Sequence, residues 1–161
     1  MCIRDSFDFD QALDVDDIDL LTDDVRFGFN TRAFDLNRDS SVDQEDRRIW
    51  VEDLKLTYFG DATLDGKFDS SDLVAVFAGG EYEDLEQGNS SWATGDWDGD
   101  GEFSTGDLVA AFESGGYEMA RRLPNVDPVP LPEPTSQLWL ASALAAAARL
   151  RSRVQRRDPA I

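Results

Sequence analysis

Residues 96–112 read DWDGDGEFSTGDLVAAF. Asp96, Asp98 and Asp100 stand at alternate positions, Gly101 follows, Phe103 comes two later, and Asp107 stands eleven residues after Asp96. That is the spacing of a twelve-residue calcium loop that turns into a helix. Calcium takes six to eight oxygens from a chain that bends sharply round it. Positions 1, 3 and 5 give side chains, 7 gives a backbone carbonyl, 9 often acts through water, and 12 closes the shell. Glycine at position 6 permits the turn. The candidate ligands of 96–107 are therefore Asp96, Asp98, Asp100, the carbonyl of Glu102, Ser104 and Asp107.

The template recurs three more times, and repeats decide the architecture of such a chain. Loop 61–72 offers Asp61, Thr63, Asp65, the carbonyl of Lys67, Asp69 and Asp72. Loop 35–46 offers Asp35, Asn37, Asp39, the carbonyl of Ser41, Asp43 and Asp46. Loop 6–17 offers Asp8, Asp10, Asp14 and Asp17, with Ser6 where position 1 wants an aspartate. Position 8 is apolar every time: Leu13, Val42, Phe68 and Phe103. In paired calcium loops that residue lies in a short strand contact between partners, so its side chain is expected inside. Behind each loop, apolar residues recur at helical spacing: Ile18, Leu21 and Val25; Ile49, Trp50 and Leu54; Leu73, Val76 and Phe77; Leu108, Ala111 and Phe112. Helices this short are not stable alone, so the repeats must pair to bury their stripes. DLVAVFAGGEYE from Asp72 answers DLVAAFESGGYE from Asp107, with paired glycines placed to end each helix. The expected fold is mainly α: tandem loop–helix calcium repeats in two pairs, 7–59 and 60–118. KLTYFG (55–60) and SSWATG (90–95), which precede loops 61–72 and 96–107, are too short and glycine-containing to be entering helices.

The charge balance agrees with an oxygen-rich cation binder. The chain of 161 residues has formal charge −19 and no histidine. Up to Ala120 there are 31 acidic and 8 basic residues, whereas 121–161 hold 3 acidic residues and 7 arginines. So acidic a body repels nucleic acid, and it repels itself unless something cationic neutralises it. The single cysteine, Cys2, forms no internal disulfide.

The loop-then-helix order with Asp at position 12 resembles dockerin type I repeats, within the wider EF-hand-like class, over about residues 6–118. The resemblance implies calcium as the bound ion and a cohesin-like protein as partner. Two departures stand out. There are four repeats rather than two, and Arg47-Arg48 and Val74-Ala75 occupy the places of the small recognition residues.

After Tyr117 the composition changes. Residues 119–137 form a linker that holds five of the six prolines. LWLASALAAAARL (138–150) is apolar apart from Ser142 and Arg149, and further arginines follow at 151, 153, 156 and 157. Pro132-Glu133-Pro134, then this hydrophobic stretch, then the arginines resembles a PEP-CTERM protein-sorting signal. That resemblance implies an exported bacterial protein, sorted to the cell envelope and processed or anchored by an exosortase-type enzyme. The membrane helix is expected over 138–157, its basic end cytoplasmic. It departs from a full span, which needs about 20 apolar residues. At the other end, Met1–Ser6 (MCIRDS) resembles the translation of a sequencing-library adapter. The expectation is that the natural chain extends further upstream.

Two plainer readings weigh against these. Position 9 followed by position 12 is also the spacing of a helix capping box, which by itself accounts for Asp14/Asp17, Asp43/Asp46, Asp69/Asp72 and Ser104/Asp107. It does not account for acids or amides at 1, 3 and 5, in register with an apolar 8. Trp50, Tyr58, Phe59 and Trp92 are expected in the core rather than on a carbohydrate platform, and Trp97, at loop position 2, is expected to be exposed. Catalysis has little support: there is no histidine or nucleophile motif, and carboxylates held ionised by a metal are unfit as general acids. The expected function is a non-catalytic calcium-binding module of an exported protein. The alternative is the carboxyl-terminal part of a larger secreted, polysaccharide-degrading enzyme.

Overall fold

Among the described residues, each α-helix begins where a loop ends. In the computed structural model, which describes residues 6–124, α1 is Val15–Phe27, α2 is Gln44–Ile49, α3 is Ser70–Gly79 and α4 is Thr105–Glu113. The described chain is thus mainly helical. The caps are Asp14, Asp43, Asp69 and Ser104, and each forms a reciprocal capping box with Asp17, Asp46, Asp72 or Asp107. A left-handed Gly28 follows α1, and Gly80 does the same for α3. No entering helix precedes the third or fourth loop. Instead α2 runs on through a π-helical turn, Trp50–Leu54, and a single 3₁₀ turn, Trp92–Thr94, leads into the last loop.

One core serves all four repeats. Ile18 and Leu21 of α1, Trp50 and Val51 of the π turn, Val76 of α3 and Ala111 of α4 are buried in it. Phe68 and Phe103, at position 8 of their loops, are buried as expected, while Leu13 and Val42 are half-buried and pack against the same cluster. The side chains behave as predicted, but the strand contact does not. Phe68 and Phe103 do not pair with each other. Phe68 bridges in parallel to Tyr117, beyond α4, and Phe103 bridges to Tyr82, beyond α3. Glu118 N–H donates to Phe68 O and Glu83 N–H to Phe103 O, both at 2.8 Å. The tails behind the two helices are therefore exchanged between the loops, which explains why GEYE and GGYE recur at equal distance from the two helices.

Trp97 is the clearest correction. Expected on the surface, it is fully buried, with its ring 5.9 Å from both Phe68 and Phe103. At position 1, Asp35, Asp61 and Asp96 turn their carboxylates in toward the N–H groups of their own loops, and position 2 faces the other way. In this array the far side is core rather than solvent: Phe7, Ala62 and Trp97 at position 2 are buried, and Leu36 packs against the cluster. Phe77 and Phe112 err the other way. Both remain about half exposed, though they stack on Tyr82, Phe103, Phe68 and Tyr117.

The two position-8 phenylalanines are seated on glycine. A β-carbon on Gly95 (φ +119°) would lie 2.5 Å from the Phe103 ring, and one on Gly60 (φ +99°) would lie 2.6 Å from Phe68. Gly80 is also left-handed but faces open space. We therefore expect Gly95→Ala or Gly60→Ala to cost about 2–3 kcal/mol, strain plus overpacking. Gly80→Ala should cost about 1 kcal/mol. Urea unfolding of the three variants checks the order.

Candidate metal centre

The same web of hydrogen bonds is drawn four times. At position 12, one carboxylate oxygen accepts from the backbone N–H groups near the loop's start and the other from the N–H of its own helix cap. Asp107 Oδ1 accepts from Trp97 N and Asp98 N (2.8 and 2.9 Å), and its Oδ2 from Ser104 N (2.8 Å). Asp46 does this with Leu36, Asn37 and Asp43, and Asp17 with Phe7, Asp8 and Asp14. Asp72 takes Thr63 N–H and Asp69 N–H. At position 1, Asp35, Asp61 and Asp96 accept from the N–H groups of the turn, including that of position 6 in each case. Ser6 stands in that place in the first loop, where its Oγ accepts from Gln11 N. At position 5, Asp10, Asp39, Asp65 and Asp100 each accept from the N–H two residues on, that of Ala12, Ser41, Lys67 or Glu102. At position 9, Asp14, Asp43, Asp69 and Ser104 turn toward their own helices.

The four loops differ in how far their oxygens converge. Among the described residues, one group of three carboxylates brings oxygens within 4.8 Å of one another: Asp96, Asp98 and Asp107, at positions 1, 3 and 12 of the last loop. Two oxygens on opposite sides of one calcium ion lie about 4.6–5.2 Å apart, twice the usual bond length, so this group can hold a metal ion. Its donors are all oxygen, which suits a hard cation. Asp100 lies outside the group, exposed, with Oδ1 on Glu102 N–H. In loop 61–72 the Thr63 hydroxyl stands between two carboxylates, 3.3 Å from Asp61 Oδ1 and 3.2 Å from Asp72 Oδ1. Loop 35–46 has Asn37 Nδ2 donating to Asp39 Oδ2, and loop 6–17 has Ser6 Oγ donating to Asp8 and Asp10. Pro132, Glu133, Pro134 and the apolar stretch behind them lie outside the described residues. Among the described residues no helix is long and apolar enough to cross a membrane.

Burial sets the electrostatics. Asp96 is pushed up to about 6 from its usual 3.8, chiefly by removal from water, with Arg47 and the Gly99 N–H pulling it back. Asp98 is raised by burial and then by the charges of Asp107 and Asp100. Asp72 and Asp17 are raised for the same first reason. Such a cluster holds like charges together at a cost that an added cation relieves.

Arg47 is the feature that periodicity missed. Its guanidinium is buried behind the last loop, donating to Asp98 O (2.8 Å), Trp97 O (3.2 Å) and Thr22 Oγ1 (3.0 Å). The usable signal was its place in the repeat. The residue after position 12 is Ile18, Leu73 or Leu108 elsewhere, and an arginine only here. No family model, curated protein or solved structure matches this chain.

Two outcomes follow for the metal-free chain in EDTA. Asp107→Asn keeps one acceptor and loses the other, so it should cost about 1–3 kcal/mol in thermal unfolding. Folding raises the pKa of Asp96, so its stabilising contribution is fully present below pH 3.8 and lost as pH rises through about 6. The melting temperature should therefore fall more between pH 5 and pH 7 in the parent than in Asp96→Asn.

Proposed function

We propose that residues 6–124 are a non-catalytic calcium-binding module built from four loop–helix repeats in two pairs, part of an exported bacterial protein sorted to the cell envelope. The observation that carries the calcium reading is the convergence of Asp96, Asp98 and Asp107 at template positions 1, 3 and 12. The same register of acceptors in the other three loops supports it. In the last loop, Asp96, Asp98, Asp100, the Glu102 carbonyl and Asp107 would hold the ion, with Ser104 reached through water. A bound divalent ion supplies positive charge where three carboxylates otherwise repel one another. The chain's own part is to hold those oxygens close. Gly99 N–H and Gly101 N–H orient Asp96, and the Trp97 and Asp98 N–H groups orient Asp107. Metal affinity of this kind appears as folding stability. It is a structural role, and affinities for extracellular modules are roughly 10⁻⁴–10⁻³ M. The envelope destination rests on the sequence order of Pro132-Glu133-Pro134, apolar stretch and arginines.

Calcium added to the full chain at millimolar concentration should release or absorb heat in titration calorimetry and raise the melting temperature, and EDTA should reverse both. Asp96→Asn with Asp98→Asn should remove the share of the last loop. A flat titration of the parent overturns the reading.

A further inference from the structure

One turn of helix serves two loops. Asp43 and Asp46 in and beside the first turn of α2 close loop 35–46: Asp46 Oδ1 accepts from Leu36 N at 2.7 Å and Oδ2 from Asp43 N at 2.9 Å. Gln44 and Arg47, on the same turn, reach the other way. Gln44 Nε2 donates to Asp98 O at 3.0 Å, and Arg47 donates to Asp98 O and Trp97 O. Gln44 Oε1 also accepts from Arg47 Nη1 at 2.8 Å, which joins the two side chains into one clamp. The carbonyls they hold belong to positions 2 and 3 of the last loop, next to the Asp96 and Asp98 carboxylates. Gly99 makes the approach possible, since a β-carbon there would lie 2.6 Å from Arg47 Nη1. In the other three repeats the residue matching Arg47 is apolar, so packing alone does not call for an arginine.

We infer that Gln44 and Arg47 are positioning residues through which occupancy of loop 35–46 strengthens metal binding by loop 96–107, and the reverse. This rests on the calcium reading above. An ion held by Asp35, Asn37, Asp39 and Asp46 orders the first turn of α2. The clamp then holds the 97–98 backbone, and the last loop pays less to order itself when its own ion arrives. Reciprocity follows from linkage.

The test is a calcium titration of the full chain, with the amide signals of Gly99 and Gly101 followed by NMR as a readout of the last loop alone. Asp35→Ala with Asp39→Ala disables loop 35–46 at half-buried or exposed side chains. It should raise the calcium midpoint at Gly99 and Gly101 about tenfold, within the usual span of coupling. In a Gln44→Ala/Arg47→Leu background, the same disabling should change the midpoint less than about twofold. If that background fails to fold by circular dichroism, Gln44→Ala alone carries the comparison, because its side chain is exposed, and it should shrink the shift. A midpoint unmoved in the parent, or a shift undiminished without the clamp, overturns the coupling while leaving calcium binding intact. Gly99 and Gly101 signals indifferent to calcium in the parent overturn the calcium reading and the coupling with it.

Discussion

One carboxylate per repeat ties the beginning of a loop to the beginning of its helix. Asp17, Asp46, Asp72 and Asp107 are all nearly or fully buried. Each spends both oxygens on backbone N–H groups that would otherwise face one another across the turn with no acceptor. An aspartate reaches both ends because it closes a twelve-residue loop and the cap of its helix lies three residues before it. Length, cap and closing residue are thus a single constraint. The helix start, with its unsatisfied N–H groups and positive dipole end, is also where a carboxylate is best tolerated in its charged form.

The same constraint sorts side chains to two sides. Positions 1 and 5 turn oxygens to the N–H groups of their own loop, and positions 2 and 8 carry hydrophobes to the core. The hydrophobes of all four repeats meet in one core, in which Trp97 fills the gap between Phe68 and Phe103. Oxygen cluster and core are consequently only a backbone thickness apart. That proximity explains why burial raises Asp96 and Asp98, and why the cluster gains from a nearby positive charge.

Arg47 supplies one such charge from inside. Burial makes its own ionisation less favourable, and the fields of Asp96, Asp98, Asp107 and Asp19 oppose that. A guanidinium that satisfies two carbonyls and a hydroxyl has little freedom to leave. Removing one member of a buried charged set strands the rest. Asp19 adds a second tie between distant repeats, with its Oδ1 accepting from Trp92 N at 2.9 Å. These two contacts join the first half of the described chain to the second across the shared core.

Loop register and helix starts were legible in the residues, because the groups that decide them lie within twelve positions of one another. Asp14/Asp17 and its three counterparts announce the caps, and Gly80 of the Gly79-Gly80 pair ends α3 left-handed because glycine has no β-carbon to clash. What lay beyond that range was decided by the tertiary structure. Nothing local says that Tyr117 rather than Phe103 bridges Phe68, that Trp97 has core rather than water beside it, or that Arg47 crosses fifty residues of chain to the Trp97 carbonyl. Periodicity tells which side of an element is apolar. Only the packing of one repeat on another tells what lies against that side, because that choice is made by shape and charge contributed from distant parts of the chain.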